Sequence, residues 1–199
     1  MHLVICNPQE ITDIYYNHIK NDFPPAEVKP LSRILMLYEK NLYFVYALYE
    51  KDELLSYAFF SSAPGCEYVL LDYLAVVSGK RNMGIGAKML DLLKTEVCKN
   101  FNGILLESEN PDFAKDEEEK EIRKRRISFY LRCGFDTTKI ESCLFGVEYK
   151  IMVYCDVSHS TLSLIHALSD LYKSLIAEKH MDKNVSIRVG DSIDNFSNV

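Results

Sequence analysis

The chain has 199 residues, with 23 Lys and Arg against 29 Asp and Glu, a net charge of −6 with His neutral. At about 150 residues per domain this is one domain with room for an extension, and apolar residues at 48% supply a core that needs neither disulfides nor metal. The negative balance argues against a nucleic-acid protein, and no stretch nears the roughly 20 uncharged apolar residues of a membrane span.

In chain order, His2 to Cys6 is a short apolar run stopped by Asn7-Pro8, a first strand. Ile11, Ile14, Tyr15, His18 and Ile19 recur at helical spacing until Phe23-Pro24-Pro25 breaks the pattern. Leu31, Ile34, Leu35 and Tyr38 mark a second helix within Val28 to Glu39. Leu42 to Tyr49 and Leu54 to Phe60 are aromatic and β-branched runs around Glu50-Lys51-Asp52-Glu53, a hairpin. Tyr68 to Val77 is almost continuously apolar, as a strand covered on both faces must be.

A polar loop with glycines follows, and Ile85, Met89, Leu92, Leu93 and Val97 then line a helix. Ile104 to Glu107 reads as a strand. The charged stretch from Asn110 enters a helix with Ile122, Phe129, Tyr130 and Cys133 on one side and Gly134 as its cap. Phe135 to Ile140 and Leu144 to Asp156 read as the last strands of a mixed sheet. Ser158 to Lys179 predicts one more helix, with Leu162, Ile165, Leu168, Leu171 and Ile176 as its apolar positions, and Met181 to Val199 a flexible polar tail. The division is therefore a domain over residues 1–156 and an extension over 157–199. The fold class is α/β or α+β with a mixed sheet of about seven strands flanked by helices.

The six cysteines, Cys6, Cys66, Cys98, Cys133, Cys143 and Cys155, form no C-x-x-C pair. The N-terminus lacks the basic start of an export signal. Together these read as reduced thiols of a cytoplasmic protein. The five histidines show no metal-ligand spacing, so no metal site is expected.

The informative segment is Leu70 to Lys94, where a buried strand leads through Ser78-Gly79-Lys80-Arg81-Asn82-Met83-Gly84 into a helix. The unpartnered amides of a helix's first turn attract anions. Lys80 and Arg81 add charge at the rim, and Gly84 and Gly86 let a phosphate approach the backbone. A P-loop starting at Gly79 fails, because Ile85 stands at its lysine position. A dinucleotide fingerprint fails at Met89, where it needs its third glycine.

The pattern R-x-x-G-x-G, Arg81 to Gly86, after Leu-Ala-Val and before Ala87, resembles the acetyl-CoA motif of the GNAT N-acetyltransferase superfamily. ILLESEN, Ile104 to Asn110, resembles that superfamily's next strand. RRISFYLRCGF, Arg125 to Phe135, resembles its second signature, an aromatic-Tyr pair before Gly-Phe. The resemblance covers roughly Met1 to Asp156.

It implies transfer of an acetyl group from acetyl-CoA to a primary amine, on a small molecule or a peptide, by direct attack in a ternary complex. It also implies that the backbone of Leu74, Ala75 and Val76 pairs with the pantetheine arm, the Val76 amide polarising the thioester carbonyl. The pyrophosphate would rest on the amides of Arg81, Asn82, Met83, Gly84, Ile85, Gly86 and Ala87. A homodimer is common for this architecture. A GNAT-fold domain that binds acyl-CoA as a sensor without turnover is the alternative.

Tyr130 matches the tyrosine that protonates the leaving thiolate, and it also fits a core aromatic of its helix. Glu107 matches the position where several GNAT enzymes place the base. It also fits an ordinary strand end or an ion pair with a downstream arginine. Asp72 is the second candidate, because a carboxylate inside VLLDYLAVV must face a cleft, find a partner or sit at a distortion of the strand. The chain departs from the family where an Asn often contacts pantetheine, the nearest position being Arg123. Arg123, Arg125 and Arg126 read either as anion binders or as a solvated face paired with Glu118 to Glu121.

Overall fold

One sheet organises the chain in the computed structural model, which describes residues 1–25 and 27–190. Its strands are β1 (His2–Ile5), β2 (Tyr43–Glu50), β3 (Glu53–Ser61), β4 (Tyr68–Val76), β5 (Gly103–Glu109), β6 (Asp136–Leu144), β7 (Val147–Cys155) and β8 (Val185–Val189). The spatial order is β1-β2-β3-β4-β5-β7-β6-β8, with β4 and β5 parallel and the other neighbours antiparallel. The mixed sheet expected from the element order is present, with eight strands rather than about seven. The eighth, VSIRV, alternates apolar and polar residues over only five positions inside a polar stretch, a pattern too short to stand out from its surroundings.

Between β1 and β2 the helices are α1 (Pro8–Ile14), α2 (Lys20–Asp22) and α3 (Leu31–Glu39), with a π-helical turn over Tyr15–Ile19 joining the first two. Asn7 caps α1 by accepting from the amides of Gln9 and Glu10, and Glu10 returns a bond to the Asn7 amide. Phe23 is extended ahead of Pro24 and ends the helical run. The remaining helices are α4 (Ile85–Val97), α5 (Glu117–Arg132), α6 (Thr161–Leu175) and α7 (Glu178–Asn184).

The sheet separates two apolar layers. Ile11, Ile34, Tyr57, Leu105, Leu168 and Tyr172 belong to one, with α1, α3 and α6 over that face. Phe60, Met89, Leu93, Leu106 and Ile127 belong to the other, under α4 and α5. A segment buried on both faces reads as a continuous apolar run, which is how β4 shows in the sequence.

Three details of the sequence reading change. Ile122, expected on the apolar side of α5, is 42% exposed, and Arg123 occupies the buried position beside it. Leu162, expected on the apolar face of α6, is exposed, and Leu164, Ala167 and Tyr172 are buried instead. The segment after Met181, expected to be a tail, contributes the end of α7 and the whole of β8, which pairs with β6 from Leu144–Val185 to Ile140–Val189. Residues 191–199 of that expected tail lie outside the described residues.

Candidate active site

The two parallel strands stay in register only from Tyr68–Gly103 to Leu71–Leu106. Beyond that, β4 runs on to Val76 bonded to β3 alone, and β5 runs on to Glu109 bonded to β7 alone. The ladder therefore opens into a gap at the carboxyl ends of the parallel pair, the place where open α/β sheets bind ligands.

The β4 edge of the gap offers main-chain groups. Val77 donates its amide to Leu55 O at 3.0 Å, so the two-residue alternation of a strand turns the amides of Val76 and Leu74 away from β3, toward the gap. The Val76 carbonyl points the same way and accepts from Arg81 Nε at 3.3 Å. Ala75, between them, is held on the β3 side, its carbonyl accepting from Ser56 Oγ at 2.7 Å.

The loop beyond Val76 is built for exposed amides. Gly84 caps α4 in the left-handed region at φ 75°, with open space where a Cβ would stand, so its backbone and not its packing demands glycine. Asn82 is also left-handed, at φ 64°. Among the described residues, no hydrogen bond is made by the amides of Arg81, Asn82, Met83, Gly84, Ile85, Gly86 or Ala87. Gly86 has a different reason: a Cβ there would meet Phe129 Cζ at 3.2 Å and Val76 Cγ2 at 3.5 Å. Its bareness lets α4, α5 and the end of β4 close on one another.

The rim cations are engaged by protein. Lys80 pairs with Glu53 at 2.8 Å and Arg81 with Asp22 at 2.8 Å. The attraction for an anion thus rests on the amides and the helix dipole.

Tyr130 lies on α5 next to Phe129, ring centroids 5.3 Å apart, and edge-on to Phe135. It is half-buried, and burial pushes its phenol above the ordinary value. Its hydroxyl makes no hydrogen bond among the described residues. Tyr130 packs with the layer under α4 and α5.

Glu107 follows Leu105 by two residues on β5, which puts both on the α6 face. Its Oε1 accepts from the Tyr172 hydroxyl at 2.5 Å. Burial pushes the carboxyl up to about 7, the Tyr172 bond and the Lys29 charge opposing, and Asp72 adding to the rise. The two candidate proton carriers therefore stand on opposite faces of the sheet.

Asp72 meets two of the alternatives set by its sequence context, a distortion of the strand and a partner. The β3–β4 register slips there, Phe59 facing Tyr73 and Phe60 facing Leu71, so Asp72 is the extra residue of a β-bulge. The bulge places Asp72 and Tyr73 on one face. Asp72 accepts from Lys29 Nζ at 2.8 Å through both oxygens and from the Tyr43 hydroxyl. Lys29 also sits 5.2 Å from the Tyr73 ring centroid.

The paired-face reading of the arginines holds in part, since Arg123 pairs within the expected acidic run, at Glu119, but is buried rather than solvated. Arg123 is buried and binds Asn110 O at 2.8 Å, Glu109 at 3.0 Å and Glu119 at 2.9 Å. Arg126 also pairs with Glu109, at 2.8 Å. Glu109, not Glu107, is the partner of the downstream arginines, so Glu107 keeps its carboxyl for other work. Tyr172, Lys29 and Tyr43 were not singled out from the sequence. Tyr172 left one trace, a position on the apolar face of α6, but its partner lies 65 residues away in the chain.

No family model and no curated protein sequence matches the chain. Solved structures do. A putative GNAT-family acetyltransferase from Bacteroides thetaiotaomicron superposes with a TM-score of 0.65 at 19% identity, over 88% of this chain and 99% of its own. The chain has the GNAT fold. A putative GNAT-family acetyltransferase from Desulfovibrio desulfuricans matches at TM-score 0.54 and 16% identity, over 77% and 99% of the two chains. An aminoglycoside 6'-N-acetyltransferase complexed with coenzyme A matches at 0.56 and 14%, over 80% and 99%. Within this GNAT fold the described residues contain no group of three or more His, Cys, Asp or Glu able to hold a metal. No helix among them is long and apolar enough to cross a membrane.

Proposed function

We propose that the protein transfers an acetyl group from acetyl-CoA to a primary amine on a small molecule or a peptide. The observation that carries this reading is the opening of the β4–β5 ladder, with the Val76 and Leu74 amides turned into the gap and an amide-lined loop directly after it. That surface fits acetyl-CoA: strand-like main chain for the amide-bearing pantetheine arm, and helix-start amides from Arg81 to Ala87 for the pyrophosphate. The Val76 amide polarises the thioester carbonyl.

Glu107 takes a proton from the ammonium form of the acceptor, through water. A carboxyl near 7 is half ionised at neutral pH, which suits a base at that pH. The amine nitrogen then forms a bond to the carbonyl carbon, and the carbon–sulfur bond breaks as the tetrahedral adduct collapses. Tyr130, whose hydroxyl has no acceptor among the described residues, gives its proton to the departing thiolate, and the second proton that the nitrogen sheds as the amide forms returns the phenolate to its neutral state. Asp72, engaged by Lys29 and Tyr43, serves as a fixed charge beside this base rather than as the base itself.

Release of free thiol from acetyl-CoA, measured across a panel of primary amines, tests the proposal. Turnover is expected to fall roughly 100-fold or more in Tyr130→Phe, and coenzyme A binding to weaken strongly in Gly84→Asp. Tight binding of coenzyme A with no turnover on any amine would favour a sensor instead.

A further inference from the structure

The hydroxyl of Tyr172 is buried, on a helix outside the span that carries the GNAT motifs, and its closest polar contact is the carboxyl placed as the base. Tyr172 is 1% exposed and packed among Leu164, Leu168 and Leu171 of the core. Its hydroxyl donates to Glu107 Oε1 at 2.5 Å, the length of a bond from a neutral phenol to a carboxylate. Ser142 Oγ, on β6 and fully buried, lies 2.9 Å from the same phenol oxygen and orients it from behind. Among the described residues Glu107 Oε2 makes no hydrogen bond.

We propose that Tyr172 is a positioning residue for acetyl transfer. It pins one oxygen of Glu107 and so aims the other, Oε2, at the water or amine in the β4–β5 gap. This rests on the acetyltransfer reading above. Three features separate it from simple satisfaction of a buried polar group. The donor comes from α6 and the acceptor from β5, so the bond fixes a side chain across two elements. The bond uses one oxygen only. The phenol itself is backed by Ser142, so a chain of three groups, not a chance contact, ends on the carboxylate.

The groups facing Glu107 from every side belong to its titration. Tyr172 comes from α6, Asp72 from β4, Lys29 from the segment before α3, and Tyr149 from β7, where the Glu107 charge helps to raise the phenol. Asp72 and Lys29 oppose one another at 2.8 Å, which leaves the Tyr172 proton as the neighbour that specifically favours ionised Glu107.

The test is Tyr172→Phe, which keeps the ring and its packing and deletes the donor. Carbon-13 NMR of labelled glutamate side chains, with Glu107→Gln to assign the signal, reads the titration of Glu107 in the free protein. The variant is expected to bind that proton roughly tenfold more tightly. In turnover, kcat/KM at pH 7 is expected to fall about fivefold, and to recover above pH 9 as the more basic carboxyl ionises. A purely structural role would lower activity equally at every pH.

Incorporation of 3,5-difluorotyrosine at position 172 keeps the hydroxyl and makes it a stronger donor. It should move both the titration and the acid limb to lower pH, which keeps the proposal falsifiable if the Phe variant does not fold. An active protein in which neither substitution moves Glu107 overturns the positioning role alone. A wild-type protein that acetylates no amine removes the reaction, and the role of Tyr172 with it. If both the NMR shift and the pH recovery appear, the role stands.

Discussion

Burial of the Glu107 carboxyl has a consequence for stability as well as for chemistry. Its folded value near 7 lies above the ordinary 4.5, so the folded chain keeps a proton that the unfolded chain has released. That contribution is fully present below about pH 4.5 and is lost as the pH rises to about 7. Glu107→Gln has no such proton to lose. We expect wild type to lose on the order of 2 kcal/mol relative to this variant between pH 5 and 8, measured by urea midpoints at the two values. Under the proposed reaction the same residue sets the opposite trend in activity: with ionised Glu107 as the base, kcat/KM is expected to rise through about pH 7, measured as a pH–rate profile.

At the scale of elements, the gap depends on how tightly β5 is held where it still pairs. Gly103 starts β5 between β4 and β7, and a Cβ there would stand 2.4 Å from the Tyr154 carbonyl oxygen and 2.8 Å from Cys155 Cβ. The first of these is backbone, which cannot swing aside. Gly103→Ala is therefore expected to cost about 2–3 kcal/mol by overpacking, read as a lower denaturation midpoint. The bulge at Asp72 acts at the other strand. It turns two successive side chains to one face, and Asp72 meets Lys29 there without breaking the apolar layer beneath α4.

At the scale of the molecule, the segment after Asp156 belongs to the same core as the rest. Leu164, Leu168, Leu171, Tyr172 and Leu175 of α6 are buried in the layer that holds Tyr57 and Leu105. Burying each contributes about 1.5–3 kcal/mol, and the total is comparable with the whole stability of a domain, about 5–15 kcal/mol. A chain ending at Asp156 is expected to lose its cooperative unfolding transition and its near-ultraviolet circular dichroism. Such a chain would also lack the Tyr172 hydroxyl, so its failure to act would say nothing about that group alone.

The sequence by itself determined the main elements as far as α6, and the loop. Alternating and continuous apolar runs are local patterns set by the period of a strand or helix. The glycine at Gly84 is likewise a local demand, since its left-handed φ is a property of one residue. The motif at Arg81 to Gly86 and the Phe129-Tyr130 pair were legible for that reason. Only the tertiary structure decided which carboxylate is free. Asp72, Glu107 and Glu109 all lie on the neighbouring strands β4 and β5, yet Lys29 holds the first, Tyr172 meets the second and Arg123 with Arg126 takes the third. Two of those three pairings join residues 43 and 65 positions apart. Charge partnership is set by proximity in space, and no periodicity along the chain encodes it. The role of Gly86 was hidden in the same way, because packing against Phe129 and Val76 exists only once three elements have met.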